Sequence, residues 1–148
     1  MKKKRRTYWV VDQVLGVHKE RALLLNANGY DVHFFTSAEQ LLIELSNKRA
    51  SIIIVSDGGT ESFVKKVMTE LMGIPEIQGA RMILATERHS KEIKFTAAVA
   101  SFRDIIPMDL REKQFLQRFI FATANKQLPF IQPTAQITLN NISAVSMP

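Results

Sequence analysis

The sequence contains no cysteine and only three histidines in 148 residues. Without cysteine, the chain has no disulfides, thiolate metal sites or cysteine nucleophiles, which fits a reducing compartment. The histidines, His18, His33 and His89, lack the spacing of metal ligands, so we expect all three at the surface or its boundary. There is also no glycine-rich phosphate loop and no nucleophile elbow. These absences argue against a conventional enzyme.

Long apolar stretches are missing as well. No run approaches the roughly 20 residues that a membrane helix needs. No signal-peptide core of about 7–15 apolar residues follows the basic start of the chain. We therefore expect a cytoplasmic protein without membrane contact. The composition, 46% hydrophobic and 23% charged, is that of an ordinary globular domain, and the length suits one domain.

Positive charge is concentrated at the N-terminus. The net charge is +6, and five of these charges come from Lys2, Lys3, Lys4, Arg5 and Arg6. We interpret residues 1–6 as a solvated basic flank. An alternative is an arm that contacts nucleic acid or anionic lipid, because blocks of like charge can have that role. No aromatic residues interleave with these charges, so nucleic-acid binding is not expected of this chain.

Segments typical of strands alternate with segments typical of helices. The strands are predicted at Thr7–Asp12, Tyr30–Phe35, Ser51–Asp57, Ala80–Thr86 and Asp104–Pro107. The helices are predicted at Val14–Asn28, Ala38–Asn47, Glu61–Met72, Lys91–Phe102 and Leu110–Lys126. This alternation predicts an α/β protein with a doubly wound, five-stranded parallel sheet in the order 2-1-3-4-5, a flavodoxin-like fold of three layers.

Several helix boundaries and faces carry their own signals. Asn28–Gly29 offers a left-handed stop for the first helix, and Ser37 with Gln40 forms a capping box for the second. Asp109 is the expected cap of the last helix. The residues expected to face inward are Val17, Leu24 and Leu25, then Leu41, Leu42 and Leu45, then Phe63, Val64, Val67, Met68 and Leu71, and finally Phe115, Phe119 and Ile120.

Two carboxylates end the first and third predicted strands, which are neighbours in this order. Asp12 and Asp57 therefore face one another across the crevice where such sheets bind ligands. Carboxylates suit Mg²⁺, and Gly58–Gly59 lets the backbone approach the same point. Thr86 adds a hydroxyl at the end of the fourth strand. A carboxylate beside a metal and a hydroxyl can accept a phosphoryl group. The alternatives are that Asp12 only caps the following helix and that Thr86 only ends its strand.

Three short motifs at these spacings resemble the receiver domain of two-component response regulators. They are Val10-Val-Asp12, Ile52-Ile-Ile-Val-Ser-Asp57 and Met82-Ile-Leu-Ala-Thr86, and the resemblance covers residues 7–126. It implies that Asp57 is the phosphoacceptor for a sensor histidine kinase or phosphotransfer protein. It also implies that Asp12, Asp57 and the Gly59 carbonyl bind Mg²⁺, and that Thr86 is the hydroxyl that switches toward the phosphate.

The sequence departs from the family pattern near the same residues. The second acidic residue after strand one is replaced by Gln13, and Ile106 stands before Pro107 where the family has a lysine. The aromatic switch position of strand five falls at Arg103, and Thr60–Glu61 replaces the Met-Pro after the acceptor. Without the lysine we expect weaker Mg²⁺ binding and a less stable phosphoryl group. Arg88 and Arg103 are the candidates to replace it.

Two functions follow from this resemblance. The first is a phosphorylated receiver that passes its signal to a downstream effector through the surface of the fourth predicted helix, the fifth strand and the last helix. That surface is also a candidate for homodimer formation. The second is a degenerate pseudo-receiver, a protein-interaction or dimerisation module that does not depend on phosphorylation. Loss of the lysine favours the second function, while Asp12, Asp57 and Thr86 together favour the first.

The composition changes after residue 126. The segment 127–148 begins with a piece containing two prolines and continues with a strand-like alternation at Gln136–Asn140. Asn141–Ser146 is similar to the Asp/Asn-x-Ser-x-x-Gly element of PilZ domains, which bind cyclic di-GMP, with Ser146 where glycine is expected. The arginine motif that precedes this element is not found in residues 127–140. We interpret the segment as a linker and extension, and as a candidate start of a second domain.

Overall fold

The computed structural model describes residues 4–56, 61–71, 79–86 and 104–124. Its strands are β1 (Arg5–Val10), β2 (Tyr30–Phe35), β3 (Ile52–Ser56), β4 (Arg81–Thr86) and β5 (Asp104–Pro107). Its helices are α1 (Gly16–Asn26), α2 (Ala38–Asn47), α3 (Glu61–Leu71) and α4 (Glu112–Ala122). The predicted helix Lys91–Phe102 and the segment 127–148 lie outside the described residues. None of the helices described is long and apolar enough to cross a membrane.

All five strands pair in parallel, in the order β2-β1-β3-β4-β5. This confirms the predicted sheet. β3 lies at its centre, and all five of its residues are buried. β-branched side chains favour a strand because they pack well on the surface of a sheet. Here successive side chains reach the helix layers on opposite faces of the sheet, so both faces of the strand are buried.

Two apolar clusters cover the two faces of the sheet. Tyr8, Val10, Ile53 and Val55 point toward α2 and α3, and the same cluster includes Leu41, Val64, Val67 and Leu71. Trp9, Ile52 and Ile54 point the other way, toward Leu25 of α1 and toward Phe115 and Phe119 of α4. Successive strand residues alternate between the clusters because side chains alternate across a strand. The predicted three-layer arrangement is therefore confirmed.

The N-terminal strand is shifted toward the start of the chain. β1 begins at Arg5, two residues before the prediction, and ends at Val10 instead of Asp12. Arg5 is half-buried and its guanidinium donates a hydrogen bond to the Thr123 carbonyl. This part of the basic flank consequently belongs to the sheet, and the chain bends at Asp12.

Helix α1 buries a different stripe from the predicted one. Its buried residues are His18, Arg21, Ala22 and Leu25, while Val17 and Leu24 are only half-buried. The expectation that His18 lies at the surface is wrong, since 2% of its surface is exposed. His33 is exposed as predicted, and His89 lies outside the described part of the chain. Gly29, with φ at +97°, supplies the left-handed turn after the helix.

Only half of the predicted capping box forms on α2. The Ser37 hydroxyl accepts the backbone N–H of Gln40 at 3.2 Å, as expected of an N-cap. Gln40 does not return the bond to Ser37. Its Oε1 accepts the backbone N–H of Thr36 at 3.1 Å and lies 3.2 Å from the Thr36 hydroxyl. The glutamine therefore fixes the residue before the cap.

Helix α4 begins later than predicted. Arg111 is its N-cap, with no side-chain cap hydrogen bond, and Asp109 is exposed upstream. The expected cap role of Asp109 is wrong because the turn after β5 continues to Leu110. Phe115 and Phe119 face inward as predicted, whereas Ile120 is 45% exposed. The buried face of α4 therefore runs through positions 115, 119 and 122, and Ile120 lies outside it.

Candidate functional site

The carboxyl ends of β1, β3 and β4 meet at one edge of the sheet. Val10 is paired with Val55, and Ser56 is paired with Ala85. Asp12 follows β1 by two residues, and Thr86 is the last residue of β4. Asp57 follows Ser56 in the sequence and, with Gly59, lies outside the described residues. The structure thus brings Asp12 and Thr86 to the edge where β3 ends, and it does not describe the other two predicted site residues.

Asp12 is exposed to solvent in the bend after β1. It does not cap α1, because Leu15 occupies the N-cap position of that helix. The alternative interpretation of Asp12 as a helix cap is therefore wrong. An exposed carboxylate at the topological switch point of a parallel sheet is available to a ligand from solvent.

Thr86 is fully buried at the end of β4. Its carbonyl accepts the backbone N–H of Met108 at 2.9 Å, and its register partner on β5 is Pro107. The residue is thus held between the ends of β3 and β5.

Ile106 precedes Pro107 in β5, at the position for which the resemblance to receiver domains predicts a lysine. It is fully buried and belongs to the apolar cluster that includes Trp9, Ile83 and Phe115. Its register partner is Ala85, one residue before Thr86. The position therefore adds apolar packing to the sheet beneath the edge and supplies no charge to it. Arg88 and Arg103, the suggested replacements, lie outside the described ranges.

Arg21 is a buried cation on the α1 side of the sheet. Its guanidinium donates to the Leu110 carbonyl at 2.6 Å, lies 4.0 Å from the Glu112 carboxylate and sits 5.3 Å above the Phe115 ring. Its Nε has no hydrogen-bond partner among the described residues. The side chain joins α1 to the turn before α4, so its charge is directed toward that turn.

Three buried polar side chains lie beneath the edge, and the sequence did not indicate them as functional. The indole Nε1 of Trp9 donates to the Ser56 hydroxyl at 2.7 Å. The His18 ring meets the Trp9 ring edge-on at 5.7 Å, and its Nδ1 accepts the backbone N–H of Leu15 at 2.9 Å. His18 lies about two helical turns before Leu25 and therefore on the same, buried face of the helix. Its burial could have been predicted from the sequence. The contact between Trp9 and Ser56 could not, because it joins residues 47 positions apart.

The donor set predicted for Mg²⁺ fits that ion only in part within the described residues. Asp12 offers an exposed carboxylate, which is a ligand that Mg²⁺ prefers, and one or two protein carboxylates suffice for it. No group of three or more His, Cys, Asp or Glu side chains that could hold a metal occurs in the described part. A site here would accordingly depend on Asp57 and the Gly59 carbonyl together with Asp12.

Comparison with solved structures places this fold among response regulators. A chemotaxis response regulator of Vibrio cholerae is 12% identical, with a TM-score of 0.68 over 81% of this chain and 99% of that one. A putative response regulator of Chloroflexus aurantiacus is 18% identical, with a TM-score of 0.67 over 82% of this chain and 99% of that one. A response regulator receiver protein of Burkholderia phymatum is 20% identical, with a TM-score of 0.64 over 80% of this chain and 95% of that one.

Sequence comparisons give no relative of this kind. No family model matches the chain, and no curated protein matches it. At identities of 20% or less, the structural likeness shows the fold. The resemblance to receiver domains predicted from the three motifs is thus confirmed as a shared α/β fold.

Proposed function

We propose that this chain is the signal-receiver domain of a two-component response regulator, with Asp57 as the residue that accepts a phosphoryl group. The observation that carries the proposal is the convergence of the ends of β1, β3 and β4. It brings the exposed Asp12 and the hydroxyl-bearing Thr86 to the edge where β3 leads to Asp57. Parallel α/β sheets bind their ligands at this edge.

In the proposed reaction, a carboxylate oxygen of Asp57 attacks phosphorus and forms an acyl phosphate. The bond from phosphorus to the nitrogen of a kinase or phosphotransfer histidine breaks, and that nitrogen keeps the electron pair. Mg²⁺, held by Asp12, Asp57 and the Gly59 carbonyl, would neutralise charge on the phosphoryl oxygens. Thr86 would turn its hydroxyl toward the phosphoryl group and change the neighbouring surface. β5 and α4 would carry that change to a downstream effector.

The second candidate is a pseudo-receiver that binds a partner, or a second copy of itself, without phosphorylation. Burial of Ile106 in the apolar cluster favours it, because the cation that the receiver pattern places there is replaced by packing. Exposed Ile120 and Phe121 on α4, at 45% and 67%, offer apolar area for such an interface. The two candidates share a fold and differ in whether Asp57 reacts.

A phosphorylation assay distinguishes them. The full chain is incubated with acetyl phosphate and Mg²⁺, and separately with beryllofluoride and Mg²⁺. A receiver gains the mass of one phosphoryl group and shows amide shifts near Thr86, and Asp57→Asn abolishes both. Asp109→Asn is the matched control, because Asp109 is an exposed carboxylate after β5 and is expected to leave both signals unchanged. No mass gain and no shift dependent on Asp57 would establish the pseudo-receiver instead.

A further inference from the structure

Three buried side chains with polar atoms, those of His18, Trp9 and Ser56, contact one another in a row beneath the edge that carries Asp12. Trp9 is at the centre of the row, fully buried in β1, with its indole N–H bonded to the Ser56 hydroxyl at 2.7 Å. Ser56 is 1% exposed and directly precedes Asp57 in the sequence. The bond joins the side chains of two neighbouring strands, since Trp9 pairs with Ile54 and Ser56 follows two residues later. It therefore restrains the last described residue of β3.

His18 holds the other segment of the edge. Its Nδ1 accepts the backbone N–H of Leu15, which is the N-cap of α1, at 2.9 Å. An imidazole nitrogen that accepts a hydrogen bond carries no proton, so this contact fixes the neutral ring with hydrogen on Nε2. At the other end of the same loop, the N–H of Val11 donates to the Phe35 carbonyl at 2.9 Å. Asp12 therefore lies in a short loop that is attached to the protein on both sides.

The contact between the His18 and Trp9 rings connects the hydrogen bond at Leu15 with the hydrogen bond at Ser56. His18 is 2% exposed and its ring packs edge-on against Trp9, with centroids 5.7 Å apart. Phe34 covers Trp9 from β2, with centroids 5.2 Å apart. Each ring is held by a hydrogen bond and by ring packing, so it has few alternative rotamers, which is the condition for holding a binding group accurately. One rigid unit thus contacts the segments that lead to both carboxylates.

We propose that His18 and Trp9 are positioning residues for the acidic edge. They set the backbone of the Asp12 loop and of the end of β3, and the Mg²⁺ affinity of the site depends on them. The metal part of this inference rests on the proposed function. In metal sites, groups that orient the ligands without touching the ion typically change affinity by about 10- to 100-fold when they are removed. A merely structural role would lower stability and leave the affinity of the folded protein unchanged.

The first experiment measures the loop without metal. Amide hydrogen exchange is recorded on the full chain for His18→Leu and His18→Gln. The leucine removes the acceptor for the Leu15 N–H, while glutamine at this helical position restores one. We expect the exchange of Leu15 to rise at least tenfold in His18→Leu and to return toward the wild-type rate in His18→Gln. Leu23→Ala is the matched control, since Leu23 is 69% exposed on the same helix. Unchanged exchange in His18→Leu overturns the proposal.

The second experiment measures Mg²⁺ binding by calorimetry under conditions in which each variant is folded by circular dichroism. We expect about tenfold weaker binding in His18→Leu and in Ser56→Ala, with Leu23→Ala unchanged. Ser56→Ala removes the acceptor of the Trp9 indole N–H and nearly keeps the volume of the core, so it tests this contact without truncating the buried Trp9 ring. Wild-type affinity in both variants overturns the positioning role. Absence of Mg²⁺ binding in the wild type refutes the proposed function and with it the metal part of this inference, while the exchange result still decides whether His18 holds the loop.

Discussion

The hydroxyl of Tyr30 lies 2.7 Å from Oγ1 of Thr123, inside the protein. Thr123 already donates its own hydroxyl hydrogen to the Phe119 carbonyl at 2.8 Å, so Tyr30 is the donor of this pair. Arg5 adds to the contact, since its guanidinium donates to the Thr123 carbonyl and lies 5.9 Å from the centre of the Tyr30 ring. The end of α4 is thereby attached to the first residues of β1 and β2, at the edge of the sheet opposite Asp12.

Because Tyr30 is the donor and Thr123 the acceptor, we expect substitutions at the two residues to change the free energy of unfolding by different amounts. Tyr30→Phe removes a donor and leaves Thr123 with its bond to Phe119, so we expect a loss of about 1 kcal/mol in the free energy of unfolding. Thr123→Val leaves the Tyr30 hydroxyl buried without an acceptor, so we expect a larger loss, up to about 3 kcal/mol. Urea denaturation measures both.

Thr69→Val is the control for the threonine substitution. The Thr69 hydroxyl donates to the Lys65 carbonyl within α3, on an exposed face, and its change is expected to stay within about 0.5 kcal/mol. Equal losses in Tyr30→Phe and Thr123→Val would contradict the assignment of Tyr30 as the donor.

The sheet was predictable because its signals are local. In the central strand, Ile52–Val55 is apolar on both faces, and Tyr30–Phe35 has the predicted bounds. Strands that alternate with helices leave few arrangements, since parallel crossovers are right-handed. The convergence of Asp12 and Thr86 follows from the same rules, because polar residues that end parallel strands meet at one edge. This part of the site therefore needed no tertiary information.

The residues that the sequence misplaced are held by contacts with other secondary-structure elements. His18 and Arg21 are polar, so the pattern placed the inward face of α1 on its apolar residues. The structure buries both because the His18 ring packs against Trp9 and the Arg21 guanidinium donates to the Leu110 carbonyl. Arg5 was expected in the flank and is held by Thr123, which is 118 residues away. Burial of a polar side chain depends on such a partner, and hydropathy alone does not reveal it.

The N-cap of α2 gives a prediction about its two polar residues. Ser37→Ala removes the acceptor for the Gln40 N–H, so we expect about 1 kcal/mol of destabilisation. Gln40→Ala removes the side-chain contacts with the exposed Thr36, and we expect less than about 0.5 kcal/mol. Thermal unfolding of the two variants provides the comparison. An equal or larger effect of Gln40→Ala would indicate that the glutamine, and not the serine, is the main cap.

Ionisation of the Tyr8 hydroxyl is expected to lower the stability of the protein at alkaline pH. Burial raises the pKa of the Tyr8 hydroxyl above its ordinary value of 10.0, while nearby Arg6 opposes the rise. Because the folded-state pKa exceeds the unfolded value, the contribution is complete below pH 10.0 and is lost as pH rises through the folded-state pKa. The hydroxyl also donates to the Lys48 carbonyl at 3.0 Å, so Tyr8→Phe is expected to cost about 1 kcal/mol near neutral pH.

The urea midpoint of the wild type should therefore fall more steeply above pH 10 than that of Tyr8→Phe. The substitution removes only the phenolic hydroxyl, so ionisation of lysines elsewhere affects both proteins alike. Parallel curves for the two proteins would show that ionisation of Tyr8 has no part in alkaline unfolding.

Ile106 provides a direct test of whether a lysine, which the resemblance to receiver domains predicts at this position, could be accommodated in this fold. Its side chain is fully buried in the cluster with Trp9, Ile83 and Phe115, so an ammonium placed there loses its water. We expect Ile106→Lys to cost several kcal/mol in the free energy of unfolding. Ile106→Met is the matched control and should cost less than about 1.5 kcal/mol, because it keeps an apolar side chain of similar volume. Urea denaturation at neutral pH compares the two. If Ile106→Lys were as stable as Ile106→Met, its ammonium would have to reach solvent at the edge beside Thr86. The fold would then accept a lysine at this position without repacking of the apolar layer beneath the site.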